Sequence, residues 1–161
     1  MKTLAGMAEA VGKLLKERQE TVAVSESSTG GIVSAALLAV PGASAYFMGG
    51  GIIYTQAARE TLLGIDFDDH PGVRSASEAY AQLAAAAIRD RLGTTWGVSE
   101  TGAAGPSGNR YGDAAGHSCI AVAGPSARVL TIETGSADRE ANMWVFAERT
   151  LELFAEVLRK T

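Results

Sequence analysis

Cysteine is nearly absent from this chain, and so are the residue groupings on which several kinds of chemistry depend. The one thiol, Cys119, cannot close an internal disulfide. It sits in the apolar run Ser118-Cys119-Ile120-Ala121-Val122 and reads as a buried core cysteine in a reducing, cytoplasmic setting. Histidine occurs twice, at His70 and His117. The two are far apart in sequence, and a metal site needs clustered His, Cys or carboxylate ligands, so no metal is expected. Asp66, Asp68 and Asp69 beside His70 read as a solvated acidic loop. There is no run of five basic residues, and 14 Lys and Arg against 18 Asp and Glu leave a net charge of -4. That balance argues against a nucleic-acid partner. No stretch reaches the ~18 uninterrupted apolar residues of a membrane span, so no membrane partner is expected. Lys2, Glu9 and Lys13 interrupt the N-terminal region, which does not read as a signal peptide. A Walker phosphate loop, a G-x-S-x-G elbow and an S-x-x-K dyad are also missing. Aromatic residues make up 6% of the chain; Trp96 and Trp144 read as core or dimer packing.

What is present is a chain able to fold. Apolar residues are 47% and charged residues 20% of the sequence, outside the range of disordered chains. Its 161 residues fit one domain over 1–161. The organising stretch is Val22-Ala23-Val24-Ser25-Glu26-Ser27-Ser28-Thr29-Gly30-Gly31, followed by Ile32-Val33-Ser34-Ala35-Ala36-Leu37-Leu38. Its β-branched start predicts a buried strand over 21–26, and its Ala/Leu-rich end a helix over 29–40 closed by Pro41-Gly42. Helical spacing of Leu4, Met7, Ala8, Val11, Leu14 and Leu15 predicts a first helix over 3–19. The apolar tail of Met48-Gly49-Gly50-Gly51-Ile52-Ile53-Tyr54-Thr55 reads as a second strand. Its three glycines mark close approach of a backbone or ligand, or else a bulge or crowded packing. A short helix over 57–63 ends at Gly64, and Ser77 and Gly93 bracket a long helix over 78–92. Strands follow at 95–100, 117–123 and 127–134, and a closing helix at 138–159. Strands alternating with helices predict an α/β fold, a three-layer α/β/α sandwich with a mixed, mostly parallel sheet.

Two glycine-rich turns, at Ser27–Gly31 and Thr101–Gly112, each follow a strand and are expected to meet at one end of that sheet, where α/β proteins bind ligands. The first carries hydroxyls, a carboxylate and two glycines. Its amides from Ser28 to Gly31 are candidates to hold an anion or a tetrahedral oxyanion; a Ser/Thr cap with a tight turn explains the same residues. Glu26, Tyr54, Arg59, Arg110, Tyr111 and Arg139 are the nearby polar candidates. A pocket of this kind suits a phosphorylated, sugar-bearing small molecule, or nucleophilic chemistry from one serine if a base activates it.

Glu26-Ser27-Ser28-Thr29-Gly30-Gly31 resembles the E-S-C-T-G-G signature of the CinA C-terminal domain family, the PncC-type nicotinamide-nucleotide amidases. Val40 to Gly50 is similar to the family's proline, glycine and aromatic segment that ends in Gly-Gly. Tyr54-Thr55-Gln56, Leu62-Leu63-Gly64 and Thr101-Gly102-Ala103-Ala104-Gly105-Pro106 match its later pieces, in order, from about Thr21 to the final helix. The resemblance implies an α/β/α domain that forms a homodimer or higher homo-oligomer. It implies deamidation of nicotinamide mononucleotide to nicotinate mononucleotide and ammonia, with neither metal nor cofactor. Ser27 is then the nucleophile, with Tyr54 and Arg59 beside it. Glu26, Ser28, Thr29, Gly30, Gly31, Gly50, Thr101, Gly102, Gly105 and Arg139 are the substrate-binding candidates. Asp113-Ala114-Ala115-Gly116 replaces the family's Lys-Pro-Val-Gly after the glycine loop, and three further positions depart from the pattern. The family's lysine is Arg59, its signature cysteine is Ser28, and a second arginine near the end is Met143. Arginine stays charged and cannot accept a proton. The alternatives are therefore a catalytically impaired nucleotide-binding or regulatory member, or an amidase for a different amide.

Overall fold

The computed structural model describes residues 2–161. Helix α1 (Leu4–Arg18) starts on Thr3, whose side chain accepts from the Gly6 amide, and buries Ala8, Val11 and Leu15 along one stripe. Strand β1 (Val22–Glu26) is buried throughout. Helix α2 (Ile32–Ala39) begins later than the sequence pattern suggests, because Thr29, Gly30 and Gly31 are spent on the turn and Gly31 takes φ +106°. Strand β2 is Phe47–Ile52, so it runs over the three glycines and not over the apolar tail that follows them. The reason is crowding. Gly50 pairs with Val24, and a Cβ there would stand 2.8 Å from Ser34 Oγ and 3.0 Å from Val24 O. The β1–β2 register also shifts between Val22 and Ala23.

Helix α3 (Gln56–Ala58) passes directly into a π-helical turn over Arg59–Leu63, closed by Gly64 at φ +67°. Helix α4 (Glu78–Leu92) is capped by Ser77 and ended by Gly93, as the sequence pattern indicates. Strand β3 (Trp96–Ala103) extends three residues past the expected end, because Thr101, Gly102 and Ala103 pair with Cys119, Ser118 and His117. Strands β4 (His117–Ala123) and β5 (Arg128–Glu133) form a hairpin, and helix α5 (Arg139–Lys160) closes the chain.

The five strands make one mixed sheet in the order β2-β1-β3-β4-β5. Strand β1 is parallel to β2 and β3, whereas β3–β4 and β4–β5 are antiparallel. Strand alternation sends Val22, Val24 and Val98 to one face, where α1, α2 and α5 cover them, with Trp96 edge-on to Phe154. Ala23, Cys119 and Ala121 go to the other face, against Tyr80, Ala81, Ala84 and Ala85 of α4. Trp96 is thus core, but Trp144 is 38% exposed. No described helix is long and apolar enough to cross a membrane. The chain leaves β1 toward β2 through α2 on one face, and reaches β3 through α4 on the other. The crevice beyond the carboxyl ends of these strands is therefore a topological switch point, the usual ligand position in α/β sheets.

Candidate active site

The turn after β1 is built on two buried carboxylates. Glu26 ends β1 and is fully buried. Its Oε1 accepts from Thr29 Oγ1 (2.7 Å) and from the amides of Gly31 and Val33 (3.0 Å each), and its Oε2 accepts from the Ser34 amide (2.8 Å). It thus satisfies free N–H groups at the start of α2, where the helix dipole favours a negative charge. Glu100, from β3, lies beside it. Its Oε1 accepts from the amides of Ser27 (3.1 Å) and Thr29 (2.9 Å) and lies 3.0 Å from Thr29 Oγ1. Its Oε2 accepts from Ser28 Oγ (2.5 Å) and Ser118 Oγ (3.0 Å). Burial pushes the Glu100 carboxyl above its ordinary range, against the hydrogen bonds from Ser28, Thr29 and Ser27 that pull it down.

This arrangement corrects the expectation of a free amide cradle. The Thr29 and Gly31 amides are taken by Glu100 and Glu26, and the Gly30 amide by Ser27 O. Among the described residues, only the Ser28 amide of that stretch is left without a partner. The side chains of Glu26, Ser28 and Thr29 are buried on their hydrogen bonds within the turn and do not line the cavity above it. Glu100 was missed by reasoning from sequence. The available signal was a carboxylate closing an apolar strand immediately before the Thr101 glycine loop.

Above the turn is a cavity of about 270 Å³, lined by Ser27, Tyr54, Arg59, Ser75, Tyr80, Thr101 and Gly102 among others. Five of the candidate residues, from the ends of β1, β2 and β3 and from the π-helical turn, therefore meet. An adjoining chamber of about 470 Å³ shares Tyr54, Gln56, Arg59 and Ser75, and adds Arg110 and the carboxylates Glu60, Asp66 and Asp68. Arg59 is buried, at 8% exposure. Its Nε donates to Ile65 O (3.2 Å), and its guanidinium lies over the Phe67 ring. Tyr80 has its phenol pushed up to about 12 by burial, with the Arg59 charge working the other way.

Tyr54 is 63% exposed. Its hydroxyl accepts from Arg139 Nη2 (3.2 Å), and Arg139 Nη1 donates to Gly105 O. Arg139 and Gly105 thus brace Tyr54 from outside the cavity. Gly105 is held at φ +114° with Ala137 O 2.8 Å from where a Cβ would stand, which is a backbone requirement. Gly50 lies within the sheet, and Gly30 faces Met143. Thr101 Oγ1 accepts from the Ala76 amide (3.1 Å), and Ala76 O in turn faces His117 Nε2 (2.7 Å). The Cys119 thiol is buried near Thr131 and His117, and burial raises its pKa, so it is an unreactive thiol. Among the described residues, no three His, Cys, Asp or Glu side chains are grouped so as to hold a metal ion.

Comparison with known proteins accounts for this layout. Residues 4–158 match the model of the CinA C-terminal domain. A CinA-like protein of Cyanothece sp. is 44% identical over 139 residues, covering 86% of this chain and 33% of that protein. A CinA-like protein of Synechocystis sp. is 40% identical over the same shares. The chain therefore spans about a third of the length of the curated relatives it matches. Among solved structures, a competence-damaged protein (CinA) superfamily protein of Klebsiella pneumoniae superimposes with a TM-score of 0.92 at 22% identity, covering 99% of this chain and 100% of that one. A member of the same superfamily from Enterobacter cloacae gives 0.89 at 25% identity, over 98% and 94%. The structural likeness establishes the fold, and the sequence match over nearly the whole described chain establishes the kinship: this protein belongs to the CinA C-terminal domain family.

Proposed function

We propose that this chain hydrolyses the carboxamide of nicotinamide mononucleotide, giving nicotinate mononucleotide and ammonia, with Ser27 as the nucleophile. The observation that carries the reading is the convergence of Ser27, Tyr54, Arg59, Thr101 and Gly102 on one cavity. Ser27 Oγ attacks the amide carbon. The unpartnered Ser28 amide is the donor available to the oxyanion that forms. Among the lining groups only Tyr54, Arg59 and Tyr80 are ionisable. Arg59 does not release its proton, and Tyr80 is pushed up to about 12. That leaves Tyr54 as the proton shuttle. It takes the Ser27 proton and passes its own to the departing nitrogen as the C–N bond breaks. Water then attacks the acyl-serine; one of its protons returns to Ser27 Oγ, the other is taken up by the released ammonia, and the carboxylate leaves. Arg59 supplies a fixed positive charge for the substrate's phosphate.

Arg59 also favours a second reading, in which the cavity binds the mononucleotide without turning it over, since a guanidinium replaces the lysine that the resemblance implies. Ammonia release and thermal shift, measured together, decide between them. Under the first reading the wild type releases ammonia and Ser27→Ala loses on the order of a thousandfold or more. Under the second the wild type is silent, yet mononucleotide at about 100 times its Kd adds roughly 2.7 kcal/mol of stability. Neither release nor stabilisation would overturn both.

A further inference from the structure

We infer that Glu100 is the positioning residue for Ser27: its carboxylate fixes the turn that carries the hydroxyl and ties that turn to β3, the strand that also carries Thr101. The inference rests on Ser27 being the reactive group proposed above. Three donors of the turn converge on this one side chain, namely the amides on either side of Ser28, at Ser27 (3.1 Å) and Thr29 (2.9 Å), and the Ser28 hydroxyl. Ser118 Oγ from β4 holds the same carboxylate at 3.0 Å from the far side. The turn has no strand or helix pairing of its own between Glu26 and Ile32, so its conformation depends on what its amides are bonded to. Glu26 does a different job, since three of its four donors are amides of Gly31, Val33 and Ser34 at the start of α2.

The placement of Glu100 in β3 gives the contact its significance. The next residue, Thr101, lines the same cavity as Ser27, and β3 is paired on both sides, Ser99 with Ser25 and Glu100 with Ile120. One strand therefore fixes both Thr101 and, through the Glu100 carboxylate, Ser27. Packing alone does not call for this residue. The carboxyl is 2% exposed and has no Lys, Arg or His among its hydrogen-bond partners. An apolar side chain of similar volume would fill the space without the cost of burying a charge.

The test compares wild type with Glu100→Gln, which keeps one acceptor oxygen, and with Glu100→Met, which keeps the volume and no acceptor. Two readouts are taken at equal folded fraction: the rate at which a fluorophosphonate probe labels Ser27, and hydrogen exchange at the Ser27 and Thr29 amides. Glu100→Met is expected to lose Ser27 labelling on the order of a hundredfold, the effect of a misplacement of about 1 Å, and to lose protection at both amides. Glu100→Gln is expected to recover about tenfold or more of that loss and to keep both amides protected. Protected amides with unchanged labelling in Glu100→Met overturn the inference. So does Glu100→Gln losing both readouts, which also decides the matter if Glu100→Met does not fold. A wild type that labels at Ser27 but releases no ammonia would defeat the amidase reading and leave this one standing.

Discussion

Arg59 holds its guanidinium carbon 3.6 Å from the centre of the Phe67 ring, on the boundary between the two chambers of the cleft. A buried cation stacked in this way gains about 2 kcal/mol from the ring when water is kept away. Phe67→Leu is therefore expected to destabilise the fold by about 1–2 kcal/mol and to raise KM for the mononucleotide more than it lowers kcat. Arg59→Lys trades the stack and the Ile65 bond for an amine that can lose a proton in a buried site. It is expected to lower Tm and to raise kcat for ammonia release, and steady-state kinetics on both variants would show the split.

Glu26 contributes stability and no chemistry. Four donors share its two oxygens, and hydrogen bonds to a charged group are worth about 1.5–3 kcal/mol each where burial is complete. Glu26→Gln should cost about 2 kcal/mol and Glu26→Ala about 3 kcal/mol or more in urea unfolding. A Glu26→Ala protein with wild-type stability would mean that α2 has another cap.

Gly97 lets α4 pack directly against the backbone of β3. A Cβ there would stand 2.0 Å from Ala85 O and 2.7 Å from Arg89 Cβ. The backbone oxygen cannot move aside without shifting the helix. Gly97→Ala is expected to cost about 3 kcal/mol, at the upper end of overpacking effects, visible as a lower urea midpoint.

His117 makes stability depend on pH. Burial works to lower its pKa, but the hydrogen bond to Glu133, the Ala76 carbonyl and the Asp113 charge together raise it above its ordinary value. A histidine whose folded pKa is raised stabilises the protein fully below about 6.5, its unfolded value, and loses that contribution as pH rises through the folded pKa. Unfolding free energy should therefore decline on going from pH 6 to pH 9. His117→Gln should be less stable at pH 6 and show a flatter profile. The same residue braces Ala76, whose amide bonds Thr101, so substrate affinity should weaken along with it.

Local signals made the framework legible. Ser77 and Gly93 mark the ends of α4, and the Gly124-Pro125-Ser126 turn marks the β4–β5 hairpin, because caps and turns are chosen by residues adjacent in the chain. Gly50 of β2 was harder to place, since the atoms that crowd it belong to Ser34 and Val24 on other elements. The site divided in the same way. Ser27, Tyr54, Arg59, Thr101 and Gly102 were all nominated from sequence and line one cavity. The fate of the Ser27 and Thr29 amides could not be seen, because it depends on Glu100, 73 residues from Ser27. Hydrogen-bond competition of this long range leaves no periodic trace in a sequence.

The antiparallel return from β3 to β4 has a last consequence. Ala103 and His117 are paired neighbours, and the Gly116 amide bonds Ala103 O at 2.8 Å. Residues 104–115 thus leave and rejoin the sheet at almost the same point, carrying Arg110 to the outer chamber. A closed excursion of that kind can be lengthened, shortened or rewritten at its tip with little effect on the strands beneath it. Change confined to this segment would alter which molecules are admitted to the cleft while Ser27 and Thr101 stayed in place.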